Sequence, residues 1–424
     1  MYSWGLLAPE QLSSFRRKRS LGLNAVIQDY NEKAVPGVAS IWYAKQVLIC
    51  VLGIVVAERV NQSSKKRVSN IEVTNAIEAL AFKISMLSNS NQGDARIRGI
   101  TKLANKEEEL FTYKEVTKKG FYLVQPMRMS IGQALLSLEF AKSGSTRFNT
   151  FSPTDLAKEF IDKEDTENML NTLVNWVAVG SEPFKNLKAK KNQLLNVLQP
   201  LSNSARLFLK DVLNRNTMSS FQHDPRRKNV LKWVEHLKKN PQKIDLGKDT
   251  NEFLSVEHWK HIKQATHFNE LKITALAILN NIERFIGNKE SSGIKIETLL
   301  TNQLNDLITL LSEGAKKFLK NENIHKDAKN FCLECIQITS NQEKITFIKR
   351  LIERDNSTLV ISGDLVKPGE AFEVKMVNDD QPQEQDEFKY GIFPNYIPYR
   401  LINMYLLNLD FANELTDKLK DEAN

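Results

Sequence analysis

The most apolar part of this chain reads QVLICVLGIVVAERV and extends from Gln46 to Val60. Only eleven residues, from Val47 to Ala57, run without a polar side chain, and Lys45 and Glu58 lie close to their two ends. A helix needs about 20 apolar residues to cross a bilayer. The stretch therefore predicts a helix buried in a protein core, and an inner-membrane hairpin is the alternative.

The composition is that of a globular, helix-rich protein. Of the 424 residues, 41% are hydrophobic and 26% are charged, and the 17 Gly and 12 Pro are sparse enough to leave long uninterrupted stretches. Three cysteines argue against a disulfide framework, and the basic cluster near the N-terminus follows the apolar residues, opposite to a secretory signal. We expect a cytoplasmic protein without a membrane partner.

Charge is distributed unevenly along the chain. From Ile361 to Asn424 there are 13 acidic and 6 basic residues, which gives this segment a net charge of −7. Because the whole chain has a net charge of +8, the first 360 residues have a net charge of +15. Such a basic body suits contact with a polyanion, and an acidic end suits docking on a basic neighbour. An unevenly charged, solvated surface is the alternative.

Periodicity predicts a mainly α, multi-domain helical protein with a winged-helix-like element and a C-terminal β-hairpin. We divide the sequence into an N-terminal helical domain, a basic helical domain, a further helical domain, and a last segment with the hairpin, an acidic loop and a helix. These four segments cover residues 1–145, 146–245, 246–357 and 358–424.

The winged-helix-like element is predicted from the order of short elements between residues 121 and 162. FYLV (Phe121–Val124) has strand character, and apolar residues between Ile131 and Leu138 form a helical stripe. A second strand is predicted at Arg147–Phe151, and Ser152 followed by Pro153 is typical of a helix start. Many helical proteins contain a short strand pair without being winged helices.

Near the C-terminus, two β-rich runs flank Lys367–Glu370, whose Pro-Gly pair suits the centre of a type II turn. The resulting hairpin would carry Asp364 on one strand, and Glu373 and Lys375 on the next. Two acids and a lysine in this layout occur in metal-dependent nucleases, where the acids hold Mg²⁺. An exposed hairpin face with alternating charges is the alternative.

Two other groups of residues have weak metal or redox patterns. Cys332 and Cys335 form a CxxC, but no second pair completes a zinc site, and both lie on one apolar helical face. We interpret them as core cysteines. His258, His261 and His267 could bind a metal on two helical turns, although an exposed polar face explains them equally well.

The strongest functional signal is a basic surface between Lys185 and Lys243. Lysine and arginine bind phosphates with strong salt dependence and little sequence preference. The candidate nucleic-acid-binding residues are Lys185, Lys188, Lys190, Lys191, Arg226, Arg227, Lys228, Lys232, Lys238 and Lys239. Trp233 lies within this region, and we expect it to be packed in the core.

Several common catalytic motifs do not occur in the sequence. There is no GxxxxGK[ST], no GxGxxG after a strand and no GxSxG. Use of ATP or NAD, and serine hydrolysis, are therefore disfavoured. We assign no cofactor, no metal, no catalytic residue and no small-molecule substrate.

Two N-terminal pieces are similar to an uncharacterised bacterial family encoded near anti-phage defence genes. They are Trp4-Gly5-Leu6-Leu7, before a Ser-rich helix start, and Val35-Pro36-Gly37-Val38-Ala39-Ser40, before an apolar helix. The family has Pro-Gly-Thr-Ser and an Arg-rich aromatic helix there, whereas this chain has Val38-Ala39 and only Lys45. The resemblance covers about 60 residues and implies a defence-system subunit, with no functional residue to transfer.

These observations together predict a non-enzymatic, architectural subunit of a prokaryotic complex acting on DNA. Its basic face would contact phosphates, and its apolar helices and acidic end would meet other protein subunits. The alternatives are a Mg-dependent nuclease that uses the C-terminal hairpin, and a protein–protein adaptor without nucleic acid.

Overall fold

The fold is taken from a computed structural model of the chain. It describes residues 19–88, 94–164, 167–182, 195–215, 217–219, 222–287, 293–355, 357–372 and 391–423.

The described residues are mainly helical, as the sequence predicts. In chain order the helices are α1 (Asn24–Ala34), α2 (Ala44–Ser63), α3 (Asn70–Ser88), α4 (Ile100–Leu103), α5 (Tyr113–Val116), α6 (Met127–Ser137), α7 (Asp155–Lys163), α8 (Glu167–Val179), α9 (Asn203–Asn214), α10 (Arg226–Lys239), α11 (Val256–Gly287), α12 (Asn302–Phe318), α13 (Lys326–Ile336), α14 (Asn341–Asp355), α15 (Tyr399–Phe411) and α16 (Leu415–Ala423).

The strands are short and antiparallel. They are β1 (Ala141–Lys142), β2 (Ser152–Pro153), β3 (Thr217–Ser219), β4 (Gln222–Asp224), β5 (Ile294–Lys295), β6 (Leu359–Ser362) and β7 (Leu365–Pro368). Strand β1 pairs with β2, β3 pairs with β4, and β7 lies between β5 and β6.

The chain forms two compact units, each assembled from distant parts of the sequence. One unit combines Met1–Gln28 with His267–Val377, and the other combines Asp29–Thr266 with Asn378–Asn424. Helices α1 and α11 contribute to both. The four segments drawn along the sequence stay a prediction.

Helix α2 is the central helix of the larger unit. All residues from Ala44 to Ala57 are buried, and α2 contacts α3, α6, α7, α8, α15 and β2. The prediction of a buried core helix is confirmed. Among the residues that the structure describes, no helix combines the length and the apolar character that crossing a bilayer would need.

A glycine lets α3 approach α2 closely. A Cβ atom added at Gly53 would lie 2.0 Å from Thr74 Oγ1 and 2.7 Å from Thr74 Cα. Backbone and side chain of Thr74 thus occupy the space that any other residue would need.

A buried carboxylate begins helix α6. Glu78 is fully buried, and it accepts hydrogen bonds from the Tyr122 hydroxyl (2.7 Å) and from the Met127 backbone N–H (2.9 Å), at the first residue of α6. Burial raises the pKa of Glu78 to about 7, although both hydrogen bonds act in the opposite direction.

The smaller unit packs α12, α13 and α14 with the end of α11 and the three-stranded sheet. The Phe268 ring lies 5.4 Å from Phe318 and 6.2 Å from Phe331, centroid to centroid. Cys332 and Cys335 are buried on the apolar face of α13, so the interpretation as core cysteines is confirmed. Burial raises the pKa of the Cys332 thiol to about 12.

A C-terminal hairpin is present, but both of its strands end before Gly369, and most of the second strand that we predicted lies outside the described residues. Ser362 pairs with Leu365, so Gly363 and Asp364 form a two-residue turn, and Lys367 lies within β7. Gly363 has a φ of +63°, which a tight hairpin turn requires and which glycine adopts without strain.

The short elements between α6 and α7 also differ from the prediction. Phe121–Val124 is not a strand, and a 3₁₀ turn at Phe148–Thr150 replaces most of the predicted second strand. Ser152 and Pro153 form β2, and the cap of α7 is Thr154, whose hydroxyl accepts from the Ala157 N–H. The two strands found here, β1 and β2, have two residues each and lie outside both predicted strands, so only the two helices that flank them match the prediction.

Gly53→Ala should destabilise the protein, because the new methyl group overlaps Thr74. Gly to Ala in a helix normally stabilises by up to about 1 kcal/mol, whereas overpacking costs about 1–3 kcal/mol. We expect a net loss of about 1–2 kcal/mol in the free energy of unfolding, measured by denaturant titration. The control is Gly287→Ala at the end of α11, where the nearest atom would be 4.0 Å away. Equal stabilities of the two variants would contradict the close approach.

Glu78→Gln should change the pH dependence of stability. The folded-state pKa of about 7 lies above the ordinary 4.5. The contribution of Glu78 is therefore fully present below pH 4.5, and it is lost as the pH rises through 7. The wild type should lose up to about 3 kcal/mol relative to the Gln variant over this window, since one pKa unit corresponds to about 1.4 kcal/mol. Unfolding at pH 5 and pH 8 measures the difference, and a constant difference would disprove it.

Candidate anion-binding surface and groove

The exposed face of α10 carries a row of lysines. Lys228, Lys232 and Lys239 are separated by four and seven residues, which places them on one side of a helix. Lys232 and Lys239 are exposed and Lys228 is half-buried. These three lysines are called the basic stripe below, and Glu235 lies among them.

The opposite face of α10 is buried, as its apolar periodicity predicts. Val230, Trp233, Val234 and Leu237 are all in the core of the larger unit. The Trp233 ring meets Trp259 edge to face with 5.8 Å between the centroids, so it is a packing residue, as expected.

Arg227 belongs to the buried face, although we predicted that it contacts phosphates. Its exposed fraction is 2%, and its guanidinium donates to the carbonyl oxygens of Val212, Leu213 and Arg215 at 3.0–3.3 Å. These carbonyls lie at the C-terminal end of α9, and that of Val212 also accepts from the Arg215 N–H at 3.3 Å. Arg227 thus caps α9 from inside the core, and burial lowers its pKa to about 10.

Arg226 is also engaged within the protein. It forms a bidentate pair with Asp224 and donates to the Lys33 carbonyl oxygen at 3.1 Å. Burial alone would raise the pKa of Asp224, but the hydrogen bonds and the charge of Arg226 outweigh it and hold this pKa below its usual value. Arg226 keeps only part of its charge available to a ligand.

A groove lies where α9, α10 and α15 meet, beside the C-terminal end of the basic stripe. Its volume is about 140 Å³. Its lining residues are Asn203, Arg206, Leu207, Lys210, Glu235, Lys238, Lys239, Asn408, Phe411 and Ala412. Four of these are basic and one is acidic, so the lining is electropositive.

Ion pairs hold most of the groove cations in place. Glu235 accepts from Lys210 through both carboxylate oxygens at 3.3 Å, and it lies 3.9 Å from Lys239 Nζ. Lys238 pairs with Glu414 at 2.8 Å, and Arg206 donates to the Phe411 carbonyl oxygen at 3.0 Å.

Buried charges connect this groove to the core helix. Lys45, in the first turn of α2, lies 3.5 Å from Glu164, whose other oxygen accepts from the N–H of Ser202, the N-cap of α9, at 2.7 Å. Burial lowers the pKa of Lys45 to about 8, against the effect of Glu164. In α15, Asp410 accepts from the Ala44 N–H at 2.8 Å. The starts of α2 and α9 and the end of α15 are therefore fixed together.

The other predicted nucleic-acid-binding residues lie outside the part of the chain that the structure describes. They are Lys185, Lys188, Lys190 and Lys191.

The histidines do not form an exposed row. His258 is buried, its Nε2 lies 2.8 Å from the Ala34 carbonyl oxygen, and burial lowers its pKa to about 4. A neutral ring that donates to this carbonyl caps the end of α1. Within the described stretches, no three His, Cys, Asp or Glu side chains cluster closely enough to hold a metal ion.

The nuclease layout is not the one that the sequence predicted. Asp364 lies in the hairpin turn instead of on a strand, its side chain is 93% exposed, and it lies 3.5 Å from Lys349. Glu373 and Lys375 lie outside the described residues.

Comparison with protein-family models, with curated proteins and with solved structures finds no match for this chain.

Arg206 and Lys210 also belong to the basic surface, although we did not predict them to bind phosphates. Their spacing of four on an amphipathic helix was a usable signal, since it places both on one face of α9. That this face adjoins α10 and α15 could not be read from spacing, because α15 lies almost 200 residues further along the chain.

Arg227→Met should destabilise the protein without acting on a ligand surface. It leaves three helix-end carbonyl groups without their buried donor, which costs about 2–4 kcal/mol in the free energy of unfolding. Lys228→Met removes the same charge from the neighbouring surface position, and it should change stability by less than about 0.5 kcal/mol. Thermal and denaturant unfolding of both variants measure this, and similar losses in both would contradict the buried cap.

Proposed function

We propose that this protein is a non-enzymatic, architectural subunit that contacts DNA phosphates in a prokaryotic complex. The observation that carries the proposal is the basic stripe, in which Lys228, Lys232 and Lys239 share one exposed helix face. Lysines so arranged bind phosphates through counterion release and give affinity with little sequence preference. The rigid, fully packed inner face of α10 keeps the three side chains in register.

The stripe is part of a larger basic region rather than an isolated charge run. Lys210, Arg206 and Lys238 extend it around the groove on the neighbouring helix α9 and along α10. Positive groups on two adjacent helices suit a ligand that carries several phosphates along its length.

The setting in anti-phage defence is part of the same proposal and is supported by the N-terminal resemblance alone. Trp4–Leu7 and Val35–Ser40 carry it. The pieces are not catalytic, which fits a chain that supplies contacts while other subunits supply the chemistry.

Charge reversal of the stripe tests the proposal. Lys228→Glu, Lys232→Glu and Lys239→Glu together should weaken binding to any duplex, because three phosphate contacts are lost. The slope of log affinity against log salt should flatten by about 0.9 for each lost contact. Fluorescence anisotropy with two unrelated duplexes at several salt concentrations measures both quantities.

The matched control carries the same change in net charge elsewhere. Lys316→Glu, Lys320→Glu and Lys329→Glu alter exposed lysines of the smaller unit, and they should leave affinity and slope nearly unchanged. Equal affinity of the stripe variant and the wild type would remove the proposal. A wild type that retains no nucleic acid at low salt would favour the protein adaptor, and plasmid cleavage with Mg²⁺ that Asp364→Ala abolishes would favour the nuclease.

A further inference from the structure

The groove beside the stripe has the size of one small anion. An apolar cavity of about 150 Å³ holds a benzene molecule, which has six heavy atoms. The groove of about 140 Å³ therefore has room for a phosphate group, which has five. A phosphate group that belongs to a larger ligand can therefore occupy the groove while the rest of the ligand extends outside it.

The groove lining has the charge that such a group needs. Arg206, Lys210, Lys238 and Lys239 line it, and Leu207 and Phe411 limit its width. Arg206 Nη1 donates to the Phe411 carbonyl oxygen and to Asn413 Oδ1, which holds its charge beside the groove.

Glu235 occupies the position of an anion among these cations. Both of its oxygens lie 3.3 Å from Lys210 Nζ, and one lies 3.9 Å from Lys239 Nζ. The two oxygens of this carboxylate contact two lysines, as two oxygens of a bound phosphate group would. The side chain of Glu235 is 35% exposed, and ion pairs at such exposed positions are weak and open easily.

We propose that the groove is a subsite for one phosphate group, and that Glu235 is its internal competitor. A phosphate that enters the groove takes Lys210 and Lys239 from Glu235, whose carboxylate turns to solvent. That the phosphate belongs to a nucleic-acid backbone rests on the proposed function; the subsite itself accepts the phosphate of a free small molecule by the same chemistry.

Glu235→Gln is the decisive variant, because it keeps the shape and removes the competing charge. Released from Glu235, the two lysines should raise the affinity for duplex DNA about two- to tenfold, since an exposed ion pair contributes up to a few-fold in an equilibrium constant. The salt slope should steepen by about 0.9 for each released lysine. Anisotropy measures the duplex, and calorimetry measures pyrophosphate as the free-phosphate probe.

Two controls separate the subsite from a general change in charge. Glu159→Gln raises the net charge equally at an exposed ion pair of α7, and it should have no effect. Adding Lys210→Gln to Glu235→Gln should reverse the gain. Circular dichroism and melting temperatures that match the wild type establish that all variants are folded.

The outcomes distinguish this inference from the proposed function. If the stripe reversal abolishes DNA binding but Glu235→Gln changes neither duplex nor pyrophosphate binding, the subsite is disproved and the function stands. If Glu235→Gln strengthens pyrophosphate binding while no variant binds DNA, the subsite stands, its ligand is a free phosphate compound, and the DNA function fails. A gain equal to that of Glu159→Gln would also disprove the subsite.

Discussion

Helix α2 has no polar side along its middle, and this constraint organises the larger unit. A helix that is apolar all round must be covered all round, so α3, α6, α7, α8 and α15 pack against it. The same burial reaches the polar residues at its beginning. Lys45 and the Ala44 N–H are buried there and need partners within the protein. Lys45 pairs with Glu164, and the Ala44 N–H donates to Asp410. Covering α2 thereby fixes the ends of other helices.

The contacts at the start of α2 determine where the groove forms. Asp410 holds the end of α15 at the start of α2, and Glu164 holds the start of α9 at the same point. Helix α10 then packs against both α9 and α15, with its apolar stripe inward and its lysines outward. The surface that we propose as functional is therefore built on buried contacts of the unit, and a rigid base keeps its charges at fixed spacing.

Apolar periodicity predicted the elements whose structure depends on one helix alone. Helix α2, the inner face of α10 and the cysteine face of α13 are examples, because burial follows directly from spacing. Where two nearby segments could each form a turn, the sequence led us to choose the wrong one. Pro368-Gly369 and Gly363-Asp364 can both form turns, and the pairing of β7 with β5 as well as β6 decides for the second. The groove could not be predicted, since its three helices come from distant parts of the chain.

The position of Arg227 shows how net charge differs from available charge. It precedes Leu231 by four residues and Val234 by seven, so the helical period already placed it on the inner face. Its charge stabilises the end of α9, that of Arg226 is shared with Asp224, and that of Lys238 with Glu414. Of the six cations counted on α10, the three of the stripe are the least engaged, and Lys239 among them lies 3.9 Å from Glu235. So few contacts give modest affinity, which suits a subunit that binds a polyanion together with other chains rather than alone.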